Sequence, residues 1–366
     1  MPTLLCLQLL SFRNLSEAKL QCSPYFNVFY GPNGAGKTSL LEAIYYLGFG
    51  RSFRTHHMQR IVQYNAEGFS IFMELQNQHH TIPIGIERKR NGECTIKCNG
   101  DMTSLSGIAK YLPLQFMSTM SYKFFLFGPK IRRQFLDWML FHVEHLFYDT
   151  WQSWQRALKQ RNAGLKTKLS SQQINFWNNE LIPLANKIDE LRTKTLIPFE
   201  PIFSDILKQL LPQYHLKVVY SRGWGEGSDL ADVLTSHLQR DYQLGYTQYG
   251  PHRADLNFLI DGIPAQEILS QGQQKLVLYA FHLAQGLLLK QQTNTIPIYL
   301  IDDLPSELDP NKRRCIIEVL KQLNAQVFIT GINAADLEDI TVLSNTHLFH
   351  VEQGRVVPSD RVPCVL

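Results

Sequence analysis

Eight consecutive residues, Gly31-Pro32-Asn33-Gly34-Ala35-Gly36-Lys37-Thr38, have the spacing of a phosphate-binding loop. Glycines let such a loop curl until successive N–H groups face an anion, and the positive end of a following helix adds to that field. Lys37 offers a point charge to the β- and γ-phosphates of ATP, Thr38 offers a hydroxyl to Mg2+, and Ser39 continues the polar rim. The strand-like run Asn27-Val28-Phe29-Tyr30 precedes the loop, and Thr38 to Leu47 reads as a helix after it. That strand–loop–helix setting separates the motif from a chance glycine turn.

Two later stretches complete a nucleotide-handling set. Ile298-Tyr299-Leu300-Ile301 is an apolar run expected of a strand buried on both faces, and it ends in Asp302-Asp303. Open α/β sheets bind ligands at the carboxyl ends of their strands, so Asp302 is placed to hold Mg2+ through water. Asp303, next in line, is the candidate catalytic base that polarises an attacking water. Leu269-Ser270-Gln271-Gly272-Gln273 opens a predicted helix. Ser270 is a good N-cap type, and Ser270, Gly272 and Gln273 together form an anion-binding helix start. Paired with the phosphate loop, this segment is expected to meet the γ-phosphate held by a second copy of the chain.

Stepping outward, the elements that must carry these groups alternate. Up to about Met117 the pattern is mostly strands and hairpin turns, and Thr3, Leu5, Leu7 and Leu9 alternate as on a first strand. From about Gly128 to Leu211 it is helical: Trp151, Trp154 and Leu158 share one apolar helix face, and a helix over Phe176 to Leu196 is expected to stop at Ile197-Pro198. Strands resume at Leu216 to Tyr220 and Asp255 to Ile260, with a turn at Asp261-Gly262, and Gln326 to Thr330 is read as a neighbour of the Ile298–Ile301 strand. Leu348 to Val357 reads as a closing hairpin. The expected organisation is an α/β nucleotide-binding lobe over 1–118 and 291–366, interrupted by a mainly helical lobe over 119–290.

At 366 residues, 44% hydrophobic and 19% charged, the chain has the composition of a water-soluble globular protein, and no stretch approaches the ~20 apolar residues of a membrane span. Six scattered cysteines point to a reducing, cytoplasmic setting; Cys94 and Cys98 have no second ligand pair nearby to make a zinc site. Net charge is only +4, yet residues 121–175 hold nine basic side chains against three acidic ones. Lys130, Arg132, Arg156, Lys159 and Arg161 in this run, with Arg51 and Arg54 beyond the phosphate-loop helix, are therefore candidates for contact with a nucleic-acid backbone.

These stretches carry a resemblance to the RecF family, bacterial recombination-mediator ATPases, over essentially the full length. It runs through Phe12-Arg13-Asn14, Gly31 to Ile44, Gly50-Arg51-Ser52-Phe53-Arg54, Arg132-Arg133-Gln134-Phe135-Leu136-Asp137, Gly250-Pro251-His252-Arg253, Ser270 to Lys275, and Asp302-Asp303 with Ser306-Glu307-Leu308-Asp309. The resemblance implies an ABC-ATPase head of the Rad50/SMC type with an inserted helical lobe. It implies binding of ATP, Mg2+ and single-stranded, gapped or duplex DNA, an ATP-dependent homodimer, and slow hydrolysis. It further implies work with RecR and RecO to load RecA. In that scheme Ser306 and Asp309 belong to the D-loop and Gln115 is the Q-loop contact to the metal. Gln271 stands where transporter signatures have glycine. Gly331-Ile332 stands where they place a switch histidine, and Ser118-Thr119-Met120-Ser121 lacks the Pro-acid pair common in relatives. The alternatives are the ATPase subunit of a membrane transporter or another Rad50/SMC-like DNA-processing ATPase.

Overall fold

A computed structural model describes residues 2–77, 80–118, 123–126, 128–343 and 345–359. Thr119, Met120, Ser121 and Cys364 lie outside the described residues, as do the side chains of Lys123 and Glu307. The chain divides into two compact units, 1–121 with 281–366, and 122–280. The boundaries expected from sequence were 118/119 and 290/291; the second observed boundary falls inside a single continuous helix, Gln271–Thr293.

The first unit contributes β1 (Thr3–Phe12), β2 (Leu15–Gln21), β3 (Phe26–Tyr30), β4 (Gly68–Asn77), β5 (His80–Lys89), β6 (Cys94–Cys98), β7 (Asp101–Met102) and β8 (Leu114–Met117) before the interruption. β9 (Leu216–Ser221), β10 (Asp255–Ile260) and β11 (Ile263–Pro264) lie in the second unit. The first resumes with β12 (Ile298–Ile301), β13 (Val327–Gly331), β14 (Thr346–Glu352) and β15 (Arg355–Ser359).

Two six-stranded sheets build the first unit, in the orders β2-β1-β4-β5-β6-β7 and β15-β14-β3-β13-β12-β8. In the second sheet β14, β3, β13, β12 and β8 run parallel, and every residue of β3, β12 and β13 is buried, the pattern of strands covered on both faces. The helix Lys37–Phe49 shares its core with both sheets, and Leu40, Leu41, Ala43, Ile44 and Leu47 are all at 0% exposure. Each such leucine or isoleucine contributes roughly 1.5–3 kcal/mol by leaving water, so the helix is firmly placed. β1 carries a bulge between Leu4 and Cys6. It moves the set facing this core from Leu4 to Leu7 and Leu9, so the simple alternation read from sequence holds only beyond the bulge.

The second unit holds the sheet β11-β10-β9 and the helices Pro129–Val143, Phe147–Lys166 and Ser171–Leu210. The last is 40 residues long and contains Pro183, Pro198 and Pro201, so the stop expected at Ile197-Pro198 does not occur. An interior proline costs a helix ~3 kcal/mol. Here the continuing turns bury Phe199 and Phe203, stacked 5.8 Å apart, with Phe203 also against Phe258 of β10. Burial of two phenyl rings offsets the broken backbone bond.

Candidate nucleotide-binding site

The phosphate loop bridges β3 and the helix Lys37–Phe49, and its backbone could be built by few other residues. Gly31 has φ 146, and a Cβ there would stand 2.1 Å from the Val351 carbonyl oxygen on β14; Gly36 has φ 122, and a Cβ there would stand 2.9 Å from Leu15 Cδ2. Three of the loop's carbonyls are tied down by side chains. Lys37 Nζ donates to the carbonyls of Gly31 (2.6 Å) and Pro32 (2.9 Å), and Asn14 Nδ2 donates to that of Gly34 (3.1 Å). Burial pushes the Lys37 ammonium below its usual range, while Asp303 and Asp302 pull the other way. The net direction marks a cation whose solvation is incomplete and which gains from an anion.

Parallel pairing brings the distant acids to this loop. β13 lies between β3 and β12, and β12 leads directly into Asp302, whose N–H is held by the Met117 carbonyl at 2.9 Å. Thr38 Oγ1 donates to Asp302 Oδ1 at 3.0 Å and Thr330 Oγ1 donates to the same oxygen at 2.7 Å. Burial raises the Asp302 carboxyl above the usual carboxylate range, an effect opposed by both hydroxyls. A hydroxyl and a carboxylate converging at this distance are hard oxygen donors of the kind Mg2+ takes, and Thr38 and Asp302 would hold it. Asp303 has φ 56, a left-handed conformation fixed by its own N–H donating to Thr330 Oγ1 (2.8 Å) and by Ser306 Oγ donating to its Oδ2 (2.6 Å).

Together these groups line a pocket of about 610 Å³ that contains Asn33, Gly34, Ala35, Gly36, Lys37, Thr38, Ser39, Asp302 and Asp303. The pocket also contains residues to which sequence assigned no role: Arg13, Asn14, Arg60, Val62 and Tyr64. Arg13 is locked by a two-pronged pair with Glu42 (2.9 and 2.5 Å), a carboxylate at 0% exposure on the phosphate-loop helix. Arg54 reaches the same carboxylate at 3.7 Å and stays half exposed. Glu42 sits four residues after Thr38, on the same helix face, and that spacing was the available signal. Tyr64, 87% exposed, and buried Val62 also line the pocket.

Several expected site residues have other occupations. Gln115 on β8 is 3% exposed. Its Nε2 donates to Gln285 Oε1 at 3.1 Å and its Oε1 meets Nδ1 of His282, which burial depresses to about 3, so Gln115 does not line the pocket and its metal role is withdrawn. Asp309 caps the helix Pro310–Leu323 by accepting from Asn311 and Lys312 N–H. In the second unit Ser270 and Gln273 cap the helix Gln271–Thr293 reciprocally, with Ser270 and Gly272 exposed.

The basic run divides sharply. Arg161 is fully buried: Nε donates to Asn178 Oδ1 (2.8 Å), and Nη1 to Asp241 Oδ2 (2.8 Å) and Thr247 Oγ1 (2.7 Å). It is a core ion pair and cannot reach DNA, which corrects its assignment. Arg132, 12% exposed, grips Asp255 with two nitrogens at 2.7 and 2.8 Å and is likewise removed from the candidate contacts. Lys130, Arg156, Lys159, Arg51 and Arg54 are exposed. The Gly250-Pro251-His252-Arg253 stretch is a structural hub of the second unit. His252 packs on Trp154 at 5.2 Å and burial lowers it to about 4, and the Pro251 carbonyl accepts from buried Arg192.

A split α/β unit with a phosphate loop, a Thr38–Asp302 pair and a signature-bearing second unit defines an ATPase head of the ABC/SMC class. The chain matches the family of the RecF/RecN/SMC N terminal domain over residues 3–356. It is 50% identical over 357 residues to the DNA replication and repair protein RecF of Coxiella burnetii, covering 97% of this chain and 99% of that one. Identity is 42% over 347 residues to RecF of Shewanella piezotolerans, covering 94% and 96%. The solved structure of the recombination mediator protein RecF with ATP, from the RecFOR pathway, superposes with a TM-score of 0.87 at 27% identity, covering 98% of both chains. An SMC head bound to the C-winged helix domain of ScpA shares the fold at TM-score 0.63 and 15% identity. The chain belongs to the RecF family.

Proposed function

We propose that this chain is an ATP-dependent, DNA-binding recombination mediator that serves repair and replication. In this reading ATP lies on the loop Gly31–Ser39, with Lys37 on its β- and γ-phosphates and Thr38 and Asp302 on Mg2+. Tyr64 and Val62 receive the base. Asp303 polarises the attacking water. It is one methylene shorter than the glutamate usual in ABC ATPases and already accepts from Ser306, so hydrolysis is slow. Ser270, Gly272 and Gln273 of a second copy complete the γ-phosphate shell, which makes dimerisation ATP-dependent, and Ser306 belongs to the same contact.

The observation that carries the reading is the convergence of Thr38, Asp302, Thr330 and Lys37 in one pocket, in a chain similar over nearly its whole length to RecF proteins. The relative with ATP belongs to the RecFOR pathway by its description; by that likeness the partners here are RecR and RecO, the downstream event is RecA loading at gaps, and the setting is the cytoplasm. Exposed Arg156, Lys159 and Lys130, with Arg51 and Arg54, are the DNA contacts of this proposal. Among the described residues no helix is long and apolar enough to cross a membrane. The test is binding of gapped and blunt duplex DNA with ATP, ADP or neither. Tighter binding of gapped DNA with ATP is expected, and binding indifferent to nucleotide would overturn the reading.

A further inference from the structure

Deepening the proposed ATP site and resting on that reading, we infer that two turns far apart in sequence position the phosphate loop: the β1–β2 turn through Asn14 and the β14–β15 turn through Gly354. Neither residue belongs to the loop motif. A peptide group is planar, so its C=O and the N–H of the next residue point in opposite directions. Holding a carbonyl in one direction therefore also fixes the direction of the following N–H. Asn14 Nδ2 holds the Gly34 carbonyl at 3.1 Å, and Ser39 Oγ donates to Asn14 Oδ1 at 2.9 Å, fixing the amide's orientation. Gly354 N–H holds the Ala35 carbonyl at 2.9 Å, and so orients the Gly36 N–H. The two turns also brace each other, because a Cβ on Gly354 would meet the Asn14 carbonyl oxygen at 2.2 Å. Both turns are built for this approach: Arg13 has φ 57, Gln353 φ 47 and Gly354 φ 78. The loop's anion-facing amides are thus set by the two ends of the first unit.

The experiment measures ATP and ADP affinity by calorimetry, with melting temperature alongside, for Asn14→Ala, Gly354→Ala and a control, Gly262→Ala. Gly262 occupies the comparable turn between β10 and β11, with φ 82 and no atom within 4 Å of an added Cβ. Its substitution strains a turn without touching the loop. Asn14→Ala should weaken both nucleotides roughly three- to tenfold, the net value of one hydrogen bond, at temperatures well below melting. Gly354→Ala should weaken them by at least as much, and Gly262→Ala should leave them within twofold. Ser39→Ala, which frees the Asn14 amide, should shift affinity in the same direction. Wild-type affinity in Asn14→Ala and Gly354→Ala, or equal loss in Gly262→Ala, would overturn the positioning role. Failure of the unaltered chain to bind ATP would instead overturn the functional reading beneath it.

Discussion

The nucleotide pocket and the basic helical unit were both read from charged residues, yet their side chains met opposite fates. In the pocket, Lys37, Thr38, Asp302 and Asp303 stand within one cavity, each on the element that its motif implied. In the second unit, Arg161 and Arg132 are consumed by Asp241 and Asp255, and Arg192, to which no role was assigned, is paired with Asp137. Only the outer residues of the same run, such as Arg156 and Lys159, face solvent. The difference lies in what each signal encodes. A strand–loop–helix motif specifies backbone path, hence direction, whereas a count of charges along a helix says nothing about which side each one occupies.

The sharpest way to break that comparison is Arg161→Ala. Removing one partner of a buried pair leaves Asp241 uncompensated, and a cost of about 3–5 kcal/mol is expected. Chemical denaturation of the purified chain measures it. Stability within ~0.5 kcal/mol of the unaltered protein would show that Arg161 is a surface charge after all.

A milder test addresses the outer face. Lys130, Arg156 and Lys159 are exposed, so changing all three to Gln should leave stability nearly unaltered. DNA affinity should lose salt dependence by about 0.9 per lost duplex phosphate contact. An unchanged slope would move the DNA site to Arg51 and Arg54.

The helix periodicity itself contained the missing information. Trp154, Leu158, Arg161 and Leu165 are all buried on Phe147–Lys166, and their spacing of four, three and four is a single helical stripe. The apolar face read from Trp151, Trp154 and Leu158 extends directly to Arg161. What sequence could not supply was the partner, because Asp241 is 80 residues away and comes close only through tertiary packing. Asn14 and Gly354 were illegible for the same reason: each reaches the phosphate loop from a turn far from it in the chain. The parallel core strands β3, β12 and β13 were legible because strands buried on both faces need continuous apolar runs. The prolines of Ser171–Leu210 misled because a local rule was outweighed by burial of Phe199 and Phe203.

The smallest expected effect concerns the acid of the pocket. Since burial raises the Asp302 carboxyl, its ionised form weakens the fold at neutral pH and is harmless below the unfolded-state value. Asp302→Asn should therefore raise the melting temperature of the nucleotide-free protein slightly at pH 7. The gain should vanish as pH falls through the raised value to the ordinary aspartate range, while Mg2+-dependent ATP binding is lost at every pH. A melting temperature lowered at pH 7 would mean that the Thr38 and Thr330 hydrogen bonds outweigh desolvation.

The central claim is that one ATP site is completed by a second copy of the chain, and sedimentation velocity tests it most directly. Monomer is expected without nucleotide and with ADP, dimer with ATP and Mg2+, and a dimer that persists for hours in Asp303→Asn, where the candidate base is gone. A chain that binds ATP yet sediments as a monomer at saturating ATP, in both the unaltered protein and Asp303→Asn, would contradict the account.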